Sequence, residues 1–379
     1  MMTDFKRFVL LFLGVLNIFF VALKKYGNIL KAYKSCLGIF ESRKKTFAFK
    51  SLPKYYWANG RFFISPNMPG FPSKSFDQFI DSQLNLSMPS AKGRIVLQTV
   101  IFSITSRCPL RCLHCFEWER LNGHEYLSLT ELLQIQKKIE NYGVTQIQYT
   151  GGEPMARIDD LIELIKATSS KRDTWIFSSG YNFSLENALL LKKSGLTGLT
   201  LSLDHWSPEG HNYFRQSEDA FDWVSTAARN AFQVDLALSL SICPTKEFVS
   251  RDNLFKYLDL AHQLHVGFIQ ILEPRRVGRF IDQEVELDDE HVRVITEFML
   301  EVNNSKKYKN SPTIIFQGYH QRKVGCYGAG NLFLYIDSKG NAHACPFCQR
   351  SVGNCLNEDF SILIKKLKGT GCQKFQLLN

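Results

Sequence analysis

The sequence predicts an α/β protein, a partial (β/α)6 TIM-like barrel that carries a small C-terminal cysteine-rich α+β extension. Three observations predict it. From Arg94 to Leu272, apolar runs of strand length alternate with stretches whose apolar residues recur at helical spacing. The strand runs are separated by helices rather than by tight turns, which makes them parallel and joins them by right-handed crossovers. The cysteines gather in two groups, three at 108–115 and five between 326 and 372, the second beyond the last strand of the alternation.

Taken in order, residues 1–45 are basic and apolar. Phe8 to Leu23 is an apolar run broken by Gly14 and Asn17, with Lys6-Arg7, Lys24-Lys25, Lys31, Lys34 and Arg43-Lys44-Lys45 around it. The run is short for a bilayer span, which takes about 20 residues. Membrane association, a helix buried in the protein's own core and an export signal are the competing readings; the last lacks a small-x-small cleavage site after the run. Residues 46–93 form an aromatic extension whose Pro and Gly density, highest in Ser65 to Ser73, argues against a regular element. Its aromatic side chains are expected to pack on the main domain or to cover a cleft.

The core is expected at 94–300. Strands fall at Ile95–Thr105, Gln146–Thr150, Thr174–Ser178, Gly198–Leu203, Val234–Ile242 and Gly267–Leu272. Helices fall between them at Leu127–Asn141, Leu161–Thr168, Leu185–Ser194, Phe221–Asn230 and Asn253–Leu264. Six units are too few to close an eight-stranded barrel. The extension is expected at 301–379, where Leu332–Ile336 and the turn Asp337–Gly340 form a strand and turn that bring Cys326 near Cys345.

Length and composition allow a large core plus a smaller part, and the apolar content excludes a disordered chain. The net charge of +10 lies largely near the N-terminus beside apolar residues, a pattern that suits an anionic membrane surface and makes nucleic acid an unfavoured partner. Cysteines in tight clusters read as metal sites rather than a disulfide framework, which places the catalytic part in the reducing cytoplasm, with attachment to the cytoplasmic membrane face through residues 8–23 as the membrane reading.

Cys108-x3-Cys112-x2-Cys115 supplies three thiolates directly after the first strand. Structural zinc takes four protein ligands, so three point to an iron-sulfur cube with one iron open to a non-protein group. Thr150-Gly151-Gly152-Glu153-Pro154 follows the second strand and so lies on the same rim, the C-terminal ends of the strands. Two glycines let a ligand approach backbone, and Glu153 offers an acceptor for an ammonium group; a tight strand-to-helix turn is the plain alternative. In the extension, Cys345 and Cys348 can grip one metal across a two-residue gap with Cys326 beside them. Cys36 and Cys243 stand alone and are expected to be small buried residues.

The cysteine trio, with His114 before its last member, followed by Gly151-Gly152-Glu153-Pro154 on a run of strand–helix units, resembles the radical S-adenosylmethionine (radical SAM) superfamily over roughly Arg94 to Leu272. The resemblance implies a [4Fe-4S] cluster on Cys108, Cys112 and Cys115 whose open iron is chelated by the amine and carboxylate of S-adenosylmethionine. Reductive cleavage then forms a 5′-deoxyadenosyl radical that abstracts hydrogen from a substrate, with an electron donor of flavodoxin or ferredoxin type. It also implies cofactor contacts at Ser179, at Ser202 and at Arg215 downstream of His211, with a surface arginine as the alternative for Arg215. Glu273 is placed near the adenine or substrate, or in a pair with Arg275 or Arg276. Cys326-x13-Gly340-x4-Cys345 resembles the opening of a SPASM or twitch extension, which implies an auxiliary [4Fe-4S] cluster. Five cysteines suit one such cluster, on Cys326, Cys345, Cys348 and Cys372 with Cys355 in reserve; a zinc ribbon is the alternative. Such extensions favour a peptide or protein substrate, whereas the N-terminus favours a lipid. The competing class is a non-catalytic iron-sulfur or zinc module that recruits a partner.

Overall fold

A ten-stranded sheet and the helices packed on its outer face make up most of the chain, in a computed structural model that describes residues 3–46, 52–87 and 97–375. Ile95 and Val96, expected to open the first core strand, lie outside these residues. The strands are β1 (Tyr56–Ala58), β2 (Arg61–Phe63), β3 (Thr99–Ser103), β4 (Gln146–Thr150), β5 (Asp173–Ser178), β6 (Gly198–Ser202), β7 (Ala237–Ile242), β8 (Phe268–Ile271), β9 (Thr313–Phe316), β10 (Phe333–Ile336), β11 (Asn341–His343) and β12 (Ser351–Asn354). The helices are α1 (Asp4–Tyr26), α2 (Ile29–Thr46), α3 (Lys74–Ser87), α4 (Leu129–Tyr142), α5 (Ile158–Ala167), α6 (Leu185–Ser194), α7 (Pro208–Arg215), α8 (Ala220–Gln233), α9 (Arg251–Gln263), α10 (Asp289–Asn304), α11 (Gln317–Val324) and α12 (Phe360–Leu367).

The strand order is β12-β11-β10-β3-β4-β5-β6-β7-β8-β9, parallel from β10 through β9 and antiparallel at β10-β11-β12. The two ends do not pair, so the sheet is an open barrel, as expected. Alternation along a strand explains the division of its faces. In β4, Ile147 and Tyr149 join the apolar layer beneath the helices, whereas Gln146 and Gln148 point to the opposite face. α4 begins at a capping box of Ser128 and Glu131 and ends at Gly143 with φ 99°, and it buries Leu132, Ile135 and Ile139 in that layer. Each such side chain removed from water contributes about 1.5–3 kcal/mol.

Three expectations are corrected. The parallel run has a seventh core strand: α10 crosses over to β9, and Asn303 secures the crossover by bonding both the N–H and the carbonyl of Ile314. The hairpin strand β10 pairs with β3, so the cysteine-rich extension continues the core sheet. In 46–93, the described residues on either side of 65–73 are more regular than the Pro and Gly content suggests. Asn59 and Gly60, both at positive φ, turn the β1–β2 hairpin, and the Ser73 hydroxyl accepts the Phe76 N–H at the start of α3.

These N-terminal elements cover the N-terminal ends of the core strands. Phe63 packs on Trp175, and the Tyr56 ring lies against Phe268 and in the space that Gly267 leaves open. The buried carboxylate of Asp173 accepts from Arg61 at 2.7 Å, the Ser75 hydroxyl at 2.6 Å and the Gly70 N–H at 3.3 Å. α1 is not a core helix: it buries Arg7, Leu10, Ile18 and Ala22 but leaves Phe5, Phe8, Phe12, Leu13 and Phe20 exposed. Among the described residues it is the one helix long and apolar enough to cross a membrane.

Candidate functional site

β3 ends at Ser103, and the chain then runs through the loop of Cys108, Cys112 and Cys115 on the rim where β4, β5 and β6 also end. The three cysteines share one apolar patch with Leu110, Ala220 and Trp223. Burial pushes all three thiols up, Cys115 to about 12, while the Arg215 guanidinium pulls Cys112 back down. Among the described residues no three His, Cys, Asp or Glu side chains converge on one single-ion position. Each thiolate around an iron-sulfur cluster binds a different iron, so its sulfurs stand farther apart than those around one ion.

The glycine pair serves the cysteine loop directly. A Cβ on Gly151 would stand 2.7 Å from the Thr105 carbonyl oxygen, and one on Gly152 would stand 2.4 Å from that of Arg107. The N–H groups of Gly152 and Glu153 donate to these two carbonyls at 2.9 and 2.7 Å. What approaches the glycines is therefore the backbone that leads into Cys108. The Glu153 carboxylate is buried and turns toward the end of β5. Its Oε1 accepts from the Met155 N–H and the Ser178 hydroxyl, and its Oε2 from the N–H and hydroxyl of Ser179. Four donors occupy the acceptor positions that an ammonium group would use. Burial pushes this carboxyl up, and the Ser179 bonds oppose the shift. Glu153 and Ser179 thus stand together as a latch between two rim loops.

Arg215, at the end of α7, is buried and not a surface side chain. Its Nη2 lies 2.5 Å from Asp204 Oδ2 and its Nη1 lies 3.5 Å from Cys112 Sγ, while its Nε has no partner. Asp204 is held in turn by the Cys243 N–H, and its own N–H donates to His211 Nδ1. Ser202 is half-buried at the end of β6, in register with Ser241 of β7. The His114 ring lies 4.8 Å from that of Phe214 at a tilt of 36°, with burial holding its pKa down at about 4.

Two supports of the cysteine loop were missed in the sequence. Asn122, at positive φ, accepts the Cys108 N–H and donates to the Cys108 carbonyl. Gly278 and Arg279, after β8, press on the other end: a Cβ on Gly278 would meet the Cys115 carbonyl at 2.3 Å, and the Arg279 side chain donates to the carbonyls of Arg111 and Cys112. The Asn122-Gly123 pair was the one local signal, an αL turn.

In the extension, Cys345 Sγ lies 3.3 Å from Cys348 Sγ, and the Cys372 N–H donates to Cys326 Sγ at 3.4 Å. The hydrogen bond from Cys345 pulls the Cys348 thiol down. These four cysteines line one cavity. Cys355 is apart from them, fully buried in the main core, and the groups that act on its thiol are Lys138, Asp337 and Glu358. Phe116, next to Cys115, touches Phe347 between Cys345 and Cys348, with ring centroids 6.1 Å apart. Glu273 lines the cavity and pairs with Arg322 at 2.5 Å and more loosely with Arg275 at 3.8 Å; Arg276 forms no such pair among the described residues. Cys36 is buried among α1, α2 and α3.

Residues 102–245 match the family model of the Radical SAM superfamily. A probable GTP 3′,8-cyclase of Methanocella arvoryzae is 32% identical over 157 residues, which are 41% of this chain and 48% of that protein, so this chain matches about half of that relative's length. The crystal structure of Streptococcus suis SuiB bound to precursor peptide SuiA superposes with a TM-score of 0.59 at 17% identity, covering 70% of this chain and 64% of that one. Native anSMEcpe with bound AdoMet superposes with a TM-score of 0.57 at 17% identity, covering 74% and 84%.

Proposed function

We propose that this chain, which belongs to the radical SAM superfamily and so uses a [4Fe-4S] cluster and S-adenosylmethionine, binds them on the β3–β6 rim as a hydrogen-abstracting enzyme. The single observation that carries the reading is the convergence of three cysteines and one buried arginine on the rim patch into which Gly151 and Gly152 fit without side chains. The donor set fits the cluster: three thiols from one loop, and a cation against one of them to offset the negative charge that thiolates bring. When bound, cluster and cofactor supply a 5′-deoxyadenosyl radical.

The chain's own residues have separate tasks in this reading. Cys108, Cys112 and Cys115 hold the cluster. Asn122 and Arg279 fix the loop backbone so that the three sulfurs keep their spacing. Arg215, whose buried Nε has no partner, is the proposed contact for a carboxylate, and the carbonyls of Gly151 and Gly152 together with the Ser202 hydroxyl are the proposed polar contacts at the same rim. Cys326, Cys345, Cys348 and Cys372 hold one auxiliary cluster. A reduced flavodoxin or ferredoxin in the cytoplasm is the proposed electron source.

Substrate class stays open at this level between a peptide, as in the SuiB complex, and a lipid. Anaerobic reconstitution with iron and sulfide, followed by dithionite and S-adenosylmethionine, tests the activity. Release of 5′-deoxyadenosine, lost in Cys115→Ala while the C-terminal iron remains, is the expected result. An intact cluster without 5′-deoxyadenosine would identify the chain as a non-catalytic binding module.

A further inference from the structure

The cavity that reaches the four C-terminal cysteines does not stop there. Its volume is about 1120 Å³, above the ~300–1,000 Å³ of ordinary small-molecule sites. It runs from the space beside α1 and α3, past the inner face of the sheet, to the C-terminal ends of β4 and β5 at Thr150 and Phe177. Its α1 end is hydrocarbon: Leu10, Leu11, Val15, Ile18, Met68 and Phe79 line it. At its waist the amides of Asn67, Gln148 and Gln270 face inward but bond one another, Asn67 to Gln270 at 3.1 Å and Gln148 to Asn67 at 3.2 Å. Lys54 also lines it, and its ammonium is directed to the carbonyls of Val302, Ser311 and Pro312. A peptide would bring a donor and an acceptor per residue into this lower half and find few groups to meet them, at a cost of about 1–3 kcal/mol for each left unpaired.

The same helix presents its other side to solvent. Phe5, Phe8, Phe12, Leu13, Leu16 and Phe20 are exposed along α1, Phe5 by 76% and Phe20 by 61%. Leu30, Tyr33 and Leu37 continue the apolar surface on α2, which packs against α1. Lys6, Lys24, Lys31 and Lys34 are exposed around it. α1 is tied to α3 and to the Lys309 loop along its length. Arg7 donates to the Lys309 carbonyl, Asn17 to Asp77 at 3.1 Å and Lys25 to Asp81 at 2.8 Å. A helix held at both ends and its middle lies along the protein and cannot thread a bilayer while these bonds stand. An apolar helix face with a basic margin suits the plane of an anionic membrane surface.

We propose that α1 and α2 lie in the surface of an anionic bilayer and that the cavity receives the hydrocarbon chain of a membrane lipid, presenting it at Thr150 and Phe177. This names the substrate class of the proposed function and rests on that reading for the chemistry alone; membrane docking and chain binding stand independently of it. Gly14 makes the inference testable because it lines the cavity and a Cβ built there meets nothing within 4 Å. Gly14→Trp therefore adds an indole at the wall of the chain site from a Cβ that meets no neighbour.

The test uses the full-length, cluster-reconstituted protein in three measurements. Flotation with phosphatidylglycerol-containing vesicles, compared with pure phosphatidylcholine, reads docking. Fluorescence of cis-parinaric acid reads chain binding. Deuterium in 5′-deoxyadenosine from vesicles with perdeuterated acyl chains reads presentation. The wild type is expected to float with the anionic vesicles, to bind the probe and to yield deuterated product. Phe8→Glu with Phe12→Glu should abolish flotation but keep probe binding, and Gly14→Trp should weaken probe binding at least tenfold but keep flotation. Cofactor cleavage without probe binding or deuterium overturns the inference and leaves the proposed function standing. Probe binding and flotation without any cofactor cleavage does the reverse. A wild type that fails to float but dissociates from dimer to monomer on the Phe8/Phe12 substitutions would assign the face to a subunit interface and overturn the docking.

Discussion

Gly152 is where one methyl group probes the link between the two rim motifs. Ala at this position would place Cβ 2.4 Å from the Arg107 carbonyl oxygen, a backbone atom that moves only if the cysteine loop moves with it. Overpacking of this kind costs about 1–3 kcal/mol. Gly152→Ala is therefore expected to lower the iron content after reconstitution and to destabilise the protein in anaerobic urea unfolding. Gly123→Ala, whose nearest contact would be an ordinary 3.7 Å, should leave both unchanged. His211 contributes to the pH dependence at this scale. Its Nδ1 accepts the Asp204 N–H, so the fold needs that nitrogen unprotonated, and burial holds its pKa down at about 3 against an ordinary 6.5. Between these values the unfolded chain binds more protons than the folded one, so stability falls as pH drops below 6.5. The loss between pH 8 and pH 5 is about 2 kcal/mol. Urea midpoints at the two pH values, compared with those of His211→Gln, should show this part of the pH slope vanish in the variant.

At the scale of elements, the β1–β2 hairpin and α3 hold the end of the barrel opposite the rim, and Asp173 is their anchor. Its carboxylate takes donors from β2, from the Gly70 loop and from α3, three separate segments, on one buried group at the start of β5. Asp173→Ala strands the Arg61 guanidinium, and breaking such a pair costs about 3–5 kcal/mol. The expected outcome is faster proteolysis between residues 61 and 75, with retention of cofactor cleavage by the rim. The same elements show what could be read from sequence. The six parallel strands were legible because their apolar runs are bounded by amphipathic helices and turn residues. The hairpin was obscured by looking at Pro and Gly as breakers when Asn59-Gly60 is a turn that builds strands on either side. β9 is four residues long and follows a polar stretch, so its place in the sheet depends on α10 and on Asn303, a tertiary matter. At the site, the cysteine spacing was legible residue by residue. The role of Glu153 was not, because its serine partners come from a different strand end.

For the molecule as a whole, the decisive feature is that both cysteine groups lie on loops attached to one continuous sheet. β10 lies against β3, Tyr335 of β10 donates to Glu117 just after the trio, and Phe116 touches Phe347 inside the second group. The two proposed metal centres, so connected, should still load separately, since the proposed ligands of each come from its own loops. Chains with Cys108, Cys112 and Cys115 replaced by alanine are therefore expected to keep about four irons, half of the complement that the two proposed [4Fe-4S] clusters would hold. Cys372→Ala should remove the other half. Cys355→Ala should keep both, because its thiol sits in the apolar core and not on the cavity wall with the other four. Iron and zinc analysis of the anaerobically purified variants, with the visible absorbance of each, checks all three. Zinc without residual iron in the triple variant would make the C-terminal centre a zinc ribbon. Its four cysteines would then be a structural clamp on β10 and β11, and the cavity beside them would have one redox centre at its rim instead of two.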